Sequence, residues 1–207
     1  MTSFDTGLSP SEQIGELHKI SITKSYIGRE FLIWLWKYCE DHSSSVKFIP
    51  VGQTDPIKIS FWVDDKIVFD SGSTTAHQHT MRGGDPSKSP EAAVALFTGK
   101  TVKELRLGMH VFGLGDFFVS LNASDLAPRG VRLPATDHQG DHEDRSPQTV
   151  NGRIRQTSLL ISILDTLFSK FIAARTANKW QSKVYPEIKE WMRAKTRNLD
   201  IESNIVH

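Results

Sequence analysis

With one cysteine in 207 residues, the chain has no internal disulfide, and Cys39, set in an apolar stretch, reads as a core side chain rather than a nucleophile. No run reaches the 18 or more uncharged apolar residues of a membrane span, and Met1–Gly7 has neither the basic flank nor the apolar stretch of a signal peptide. The expectation is a cytoplasmic protein with no membrane contact. The sequence also lacks Gly-x-Ser-x-Gly, His-Glu-x-x-His and Cys-x-x-Cys, while Gly83-Gly84-Asp85 and Gly113-Leu114-Gly115 are too short for phosphate loops. Nothing in the residues points to an enzyme or a cofactor.

What remains is the composition of a globular chain, 38% hydrophobic and 24% charged, long enough to bury about 70% of its unfolded surface. The net charge of +1 hides an asymmetry. Up to Gly152 the balance is −4; beyond it ten Lys and Arg face five Asp and Glu, a balance of +5. A basic C-terminal end is a candidate phosphate contact, although an excess of this size also suits a solvated helix face.

The densest apolar segment is Ser25–Asp41, read as a helix from Tyr26 capped by Ser25. At 3.6 residues per turn, Ile27, Phe31, Trp34, Leu35 and Tyr38 form one stripe, and Leu32, Trp36 and Cys39 form a second. Only Arg29, Glu30, Lys37 and Glu40 are left for water. Such a helix is either sandwiched between a sheet and another helix or buried in a subunit interface.

Around it, residues 1–15 read as a flexible tail, and His18–Thr23 alternates like a short strand. Strands are expected at Val46–Val51, Ile57–Val63 and Lys66–Asp70, the last two joined by a tight hairpin at Asp64-Asp65. Thr74–Met81 follows as an edge strand, then Thr101–Phe112, Phe117–Leu121 and a short Gly130–Leu133. Between them, Ser89-Pro90-Glu91 starts a helix that Gly99 closes in a left-handed conformation. Residues 135–147 contain no apolar side chain beyond alanine and proline and read as a polar linker. From Gln148 to Lys179 a 3.6-residue period predicts a helix of roughly 45 Å, long enough to cross the sheet or pair with a second copy. Tyr185-Pro186 starts a final helix to about Arg197. The predicted organisation is α+β: a mostly antiparallel sheet core over residues 16–134, covered by the N-terminal apolar helix and by a helical region at 148–198.

Two clusters invite a metal reading. Asp137-His138 and Asp141-His142-Glu143-Asp144 place six potential ligands in eight residues, but in a linker that fixes none of them. His77 and His79 would share a strand face without a third ligand. No metal site is therefore expected. The basic residues Lys170, Arg175, Lys179, Lys183, Lys189, Arg193, Lys195 and Arg197 are the candidate nucleic-acid contacts, with Lys189, Arg193 and Arg197 in one row at i, i+4, i+8.

Several landmarks resemble a known family: Ile27–Trp36 followed by Glu40, Ser89–Lys100, Phe117–Ala123, and Ile163–Phe171 leading to Arg175 and Trp180. Over residues 20–182 they are similar to the C-terminal portion of RdgC-like, recombination-associated proteins. The resemblance implies non-enzymatic binding of duplex DNA without sequence preference, by ring-shaped dimers that restrain recombinase filaments. It adds no active site. The expected partners are duplex DNA and a second copy of the chain; the competing expectation is a protein–protein adaptor in a multi-component or phage-related system.

Overall fold

The computed structural model describes residues 27–70, 78–135, 147–177 and 180–203. Helix α1 spans 27–41 and is followed by strands β1 (Val46–Phe48), β2 (Ile57–Asp70) and β3 (Gln78–Arg82). A 3-10 turn at Pro86–Lys88 leads into α2 (Pro90–Phe97), then β4 (Thr101–Val111), β5 (Gly115–Asn122) and β6 (Pro128–Arg132). Helix α3 (Pro147–Thr176), a π-helical turn at Trp180–Val184 and α4 (Tyr185–Ser203) complete the order. The six strands form one antiparallel sheet in the order β1-β2-β4-β5-β6, with β3 also paired to β2. The architecture is α+β.

One sheet face is apolar because residues alternate with period two. Ile59, Phe61, Val63, Ile67 and Phe69 of β2, Leu105, Leu107, Met109 and Val111 of β4, and Phe117, Val119 and Leu121 of β5 are all buried. The hairpin expected at Asp64-Asp65 is absent: β2 runs unbroken for 14 residues. Val63 pairs with Leu107 and Ile67 with Leu105, so the acidic pair is taken up as a bulge against β4. Arg106 explains why, since its Nε donates to the Asp64 carboxylate at 2.8 Å and lies 3.5 Å from that of Asp65. A cation on the neighbouring strand makes the two carboxylates a pairing site instead of a turn.

Helix α1 is sandwiched between the sheet and two helices. From its first stripe, Phe31 lies 5.3 Å and 5.4 Å from the Phe168 and Phe171 rings of α3, while Tyr38 meets Phe61 of β2 at 5.8 Å. From its second, Trp36 meets Phe69 of β2 at 6.2 Å and Trp191 of α4 at 5.4 Å. Leu32, Leu35 and Trp36 have no exposed surface, and each such side chain stabilises the fold by about 2–3 kcal/mol. Both stripes are consumed within the chain.

Helix α2 follows its local signals closely. The Ser89 hydroxyl accepts from the Ala92 amide at 3.2 Å, Pro90 occupies the first turn, and Gly99 adopts φ 78°. The Gly99 amide donates to Leu96 O and the Lys100 amide to Ala95 O, which together form a Schellman closure. Ser89→Ala is expected to lower stability by about 1 kcal/mol, measured by urea unfolding at unchanged m-value. An unchanged midpoint would show that α2 is held by tertiary packing alone.

Helix α3 has 30 residues and is about 45 Å long. By length and composition Thr149–Thr176 could cross a membrane. Its Leu160, Ile163, Leu167 and Phe171 are instead buried in the core of this domain. The expected N-terminal tail, the strand at His18–Thr23, the Ser25 cap, the polar linker over 136–146 and the Asp137–Asp144 cluster lie outside the described residues.

Candidate nucleic-acid interface

The basic residues of the C-terminal third divide into two sets according to what faces them. Arg175, at the end of α3, donates through Nε to Glu30 of α1 at 2.7 Å and stacks 5.3 Å over the Trp180 ring. Lys195 of α4 has a side chain only 15% exposed; its ammonium lies 2.6 Å from the Glu40 carboxylate and donates to Ser87 O at 2.7 Å. It also sits 5.3 Å from the rings of both Trp36 and Trp191. Both cations are neutralised internally. Their geometry makes them tethers between helices.

Glu40 organises this region. Its Oε1 accepts from the Trp36 indole at 2.8 Å and its Oε2 from the Trp191 indole at 2.8 Å, in addition to the Lys195 ammonium. By helical spacing Glu40 falls between the two apolar stripes of α1 and is expected in water. The structure corrects this, and extends the correction to Arg29, which pairs with Asp70 at 3.2 Å, and to Glu30 on Arg175. The detectable signal was the matched spacing of Trp36 with Glu40 and of Trp191 with Lys195, each i, i+4, on two helices that then meet.

Four others, Lys170, Lys183, Lys189 and Arg193, are exposed. Lys170 is exposed on α3, 5.7 Å from the Phe48 ring, and Lys183 is exposed on the π-helical turn. On α4, Lys189 is exposed and lies 4.5 Å over the Tyr185 ring. Arg193 is exposed one turn later, with Glu190 at 3.6 Å. Arg197 continues the same spacing along the helix. Lys179 lies outside the described residues. Lys189 and Arg193 line one shallow cleft of about 230 Å³ with Leu96 of α2 and Met192 of α4. Two cations therefore flank an apolar floor, a surface that can receive an anionic group and the less polar moiety attached to it.

Other candidates have local explanations. Burial pushes the Cys39 thiol far above its usual range and, with the neighbouring Cys39, pushes the Tyr38 phenol up to about 12. Neither is an activated nucleophile near neutral pH. Among the described residues no group of three or more His, Cys, Asp or Glu could hold a metal ion. His79 is exposed on β3, and His77 lies outside the described residues. The Asn122 side chain accepts from both the amide and the hydroxyl of Ser124, closing a local turn. No family model, curated protein or solved structure matches this chain.

Proposed function

We propose that this chain is a non-enzymatic, cytoplasmic, recombination- or nucleic-acid-associated protein that binds duplex DNA without sequence preference. The observation that carries the reading is the exposed pair Lys189 and Arg193 on α4, which line one cleft, with Arg197 next at the same spacing in the sequence of the helix. Lys170 and Lys183 add exposed positive charge nearby in the chain. The resemblance of residues 20–182 to RdgC-like proteins supports the same class of ligand. Such a surface acts by neutralising phosphates and releasing counterions, and it carries no base-edge readout. Arg175 and Lys195 take no part, because each is held by a largely buried carboxylate of α1, whereas Arg193 and its neighbour Glu190 are both mostly exposed.

The triple variant Lys189→Gln, Arg193→Gln, Arg197→Gln is expected to weaken binding to random duplex DNA equally across sequences. It should also flatten the salt dependence by about one unit of slope for each phosphate that is no longer neutralised. Fluorescence anisotropy with two unrelated duplexes at several salt concentrations measures both. A variant that binds as tightly as its parent would refute the assignment. The second reading, a protein–protein adaptor, draws on the exposed apolar side chains Ile49, Val51, Phe112 and Leu114. Binding through those residues would be insensitive to salt.

A further inference from the structure

Along one side of β2 the sheet is interrupted. β1 pairs with β2 no farther than Ile59, opposite Val46, and β3 joins it only at Lys66, opposite Arg82. The two strands lie end to end on that side, with β4 on the other. Lys58 turns its carbonyl towards β4, where it accepts from the Phe112 amide, while Asp65 turns its carbonyl the opposite way and accepts from the Gly83 amide after β3. In a strand the N–H and C=O of one residue point to the same side and successive residues alternate. Ser60 and Trp62 therefore address β4, and Phe61 and Val63 address the gap. Among the described residues no hydrogen bond reaches the backbone of Phe61 or Val63 from that side. The two residues are only 0% and 5% exposed, and backbone groups so placed are normally paired. A cavity of about 320 Å³ opens on them, between Ser43 after α1 and Asp85 and Lys88 of the connection from β3 to α2.

We propose that this gap takes a short extended peptide segment of a partner protein, which adds to β2 as the missing piece of edge strand and carries a lysine or arginine. The backbone defines the ligand. Two N–H and two C=O groups, repeating every second residue or about 7 Å, match the ladder of an added strand and no other common peptide conformation. β1 and β3 close the gap at its two ends, so the added stretch is limited to about three residues. The same closure keeps the edge from pairing with a long strand.

Charge selects the side chain. The cavity is lined by the carboxylates of Glu40, Asp64 and Asp85 and by one ammonium, that of Lys88. With Lys195 and Arg106, which pair with Glu40 and Asp64, and with Asp65 beside them, four carboxylates meet three cations. The C-terminal end of α1, which reaches the cavity at Cys39 and Glu40, adds its partial negative charge. A basic side chain is therefore favoured over an acidic one. The site is independent of the α4 cations, so a failure of DNA binding leaves it standing.

Amide hydrogen exchange of the full chain, read by NMR, tests the open edge. The Phe61 and Val63 amides should exchange about tenfold or more faster than those of Ser60 and Trp62, which the β4 ladder holds. Equal protection in the free chain would show that the gap is already filled and would overturn the proposal. A heptapeptide library displayed on phage, selected on the full chain, then supplies the probe. Enriched peptides should contain Lys or Arg and should slow exchange at Phe61 and Val63 about tenfold. Ser43→Trp, at an exposed position on the cavity wall, should weaken them about tenfold without moving the thermal midpoint. Asp85→Lys, also exposed, should weaken them through charge. N-methylation of alternate backbone nitrogens in a selected peptide should abolish binding in one phase and spare it in the other, because only every second N–H of an added strand faces β2. No enrichment over a parallel selection on the Ser43→Trp protein, enrichment of acidic peptides, or binding indifferent to the phase of methylation would each overturn the proposal.

Discussion

Gly28→Ala is expected to destabilise the protein by about 2–3 kcal/mol, although alanine normally replaces glycine in a helix with a gain of up to about 1 kcal/mol. The sign reverses because α1 lies directly on the backbone that follows β5. A methyl group at residue 28 would come within 1.9 Å of the Ala123 carbonyl oxygen and within 2.9 Å of its Cα. That backbone has no freedom to yield, since the Ala123 amide donates to Lys103 O at 2.8 Å and the Leu126 amide to Asn122 O at 2.8 Å. Either α1 lifts off the sheet, exposing the Phe31 and Trp36 packing, or the end of β5 leaves the ladder. For a chain of this size the loss corresponds to a fall of roughly 5–10 °C in Tm. A variant as stable as its parent would show that α1 sits farther from Ala123.

The second large effect is expected at Glu40. Glu40→Ala leaves the indole N–H groups of Trp36 and Trp191 without their acceptor and the Lys195 ammonium with only Ser87 O. Unpaired donors of this kind cost about 1–3 kcal/mol each when buried. Here the carboxylate side chain retains 29% exposure, so water offsets part of the loss and a total of about 3 kcal/mol is expected. Glu40→Gln keeps a neutral acceptor for one indole and should cost about half as much. In a double-mutant cycle with Lys195→Ala the two positions should couple by at least about 1 kcal/mol. Additivity within about 0.3 kcal/mol would refute the clamp.

Features set by neighbouring residues were legible in the sequence. The capped helix after Ser89, its closure at Gly99 and the long period of α3 depend on groups at most a few positions apart. The α+β class and the sheet bracket of residues 46–132 also follow from alternation and turn residues. The misreadings share another cause. Asp64-Asp65 looked like a turn because its partner, Arg106, lies 42 positions from Asp64. Arg175 reads as an unpaired cation because Glu30 is 145 positions away, and Lys195 because neither Glu40 nor Ser87 is close in the chain. A charged residue read alone is assigned to solvent or to a ligand; only the fold supplies the opposite charge. The row at Lys189 and Arg193 was readable because it depends on spacing within one helix, and both side chains stay exposed once that helix packs.

If the exposed cations of α4 bind nucleic-acid phosphate, the most direct test is the salt dependence of the unmodified protein on random duplex DNA. Neutralising three to four phosphates predicts a slope of log Kobs against log salt of about −3, the same for unrelated sequences. Arg175→Gln should leave that slope unchanged even where it lowers stability. Absence of binding at low salt, or binding whose slope is zero, would contradict the assignment and favour the adaptor.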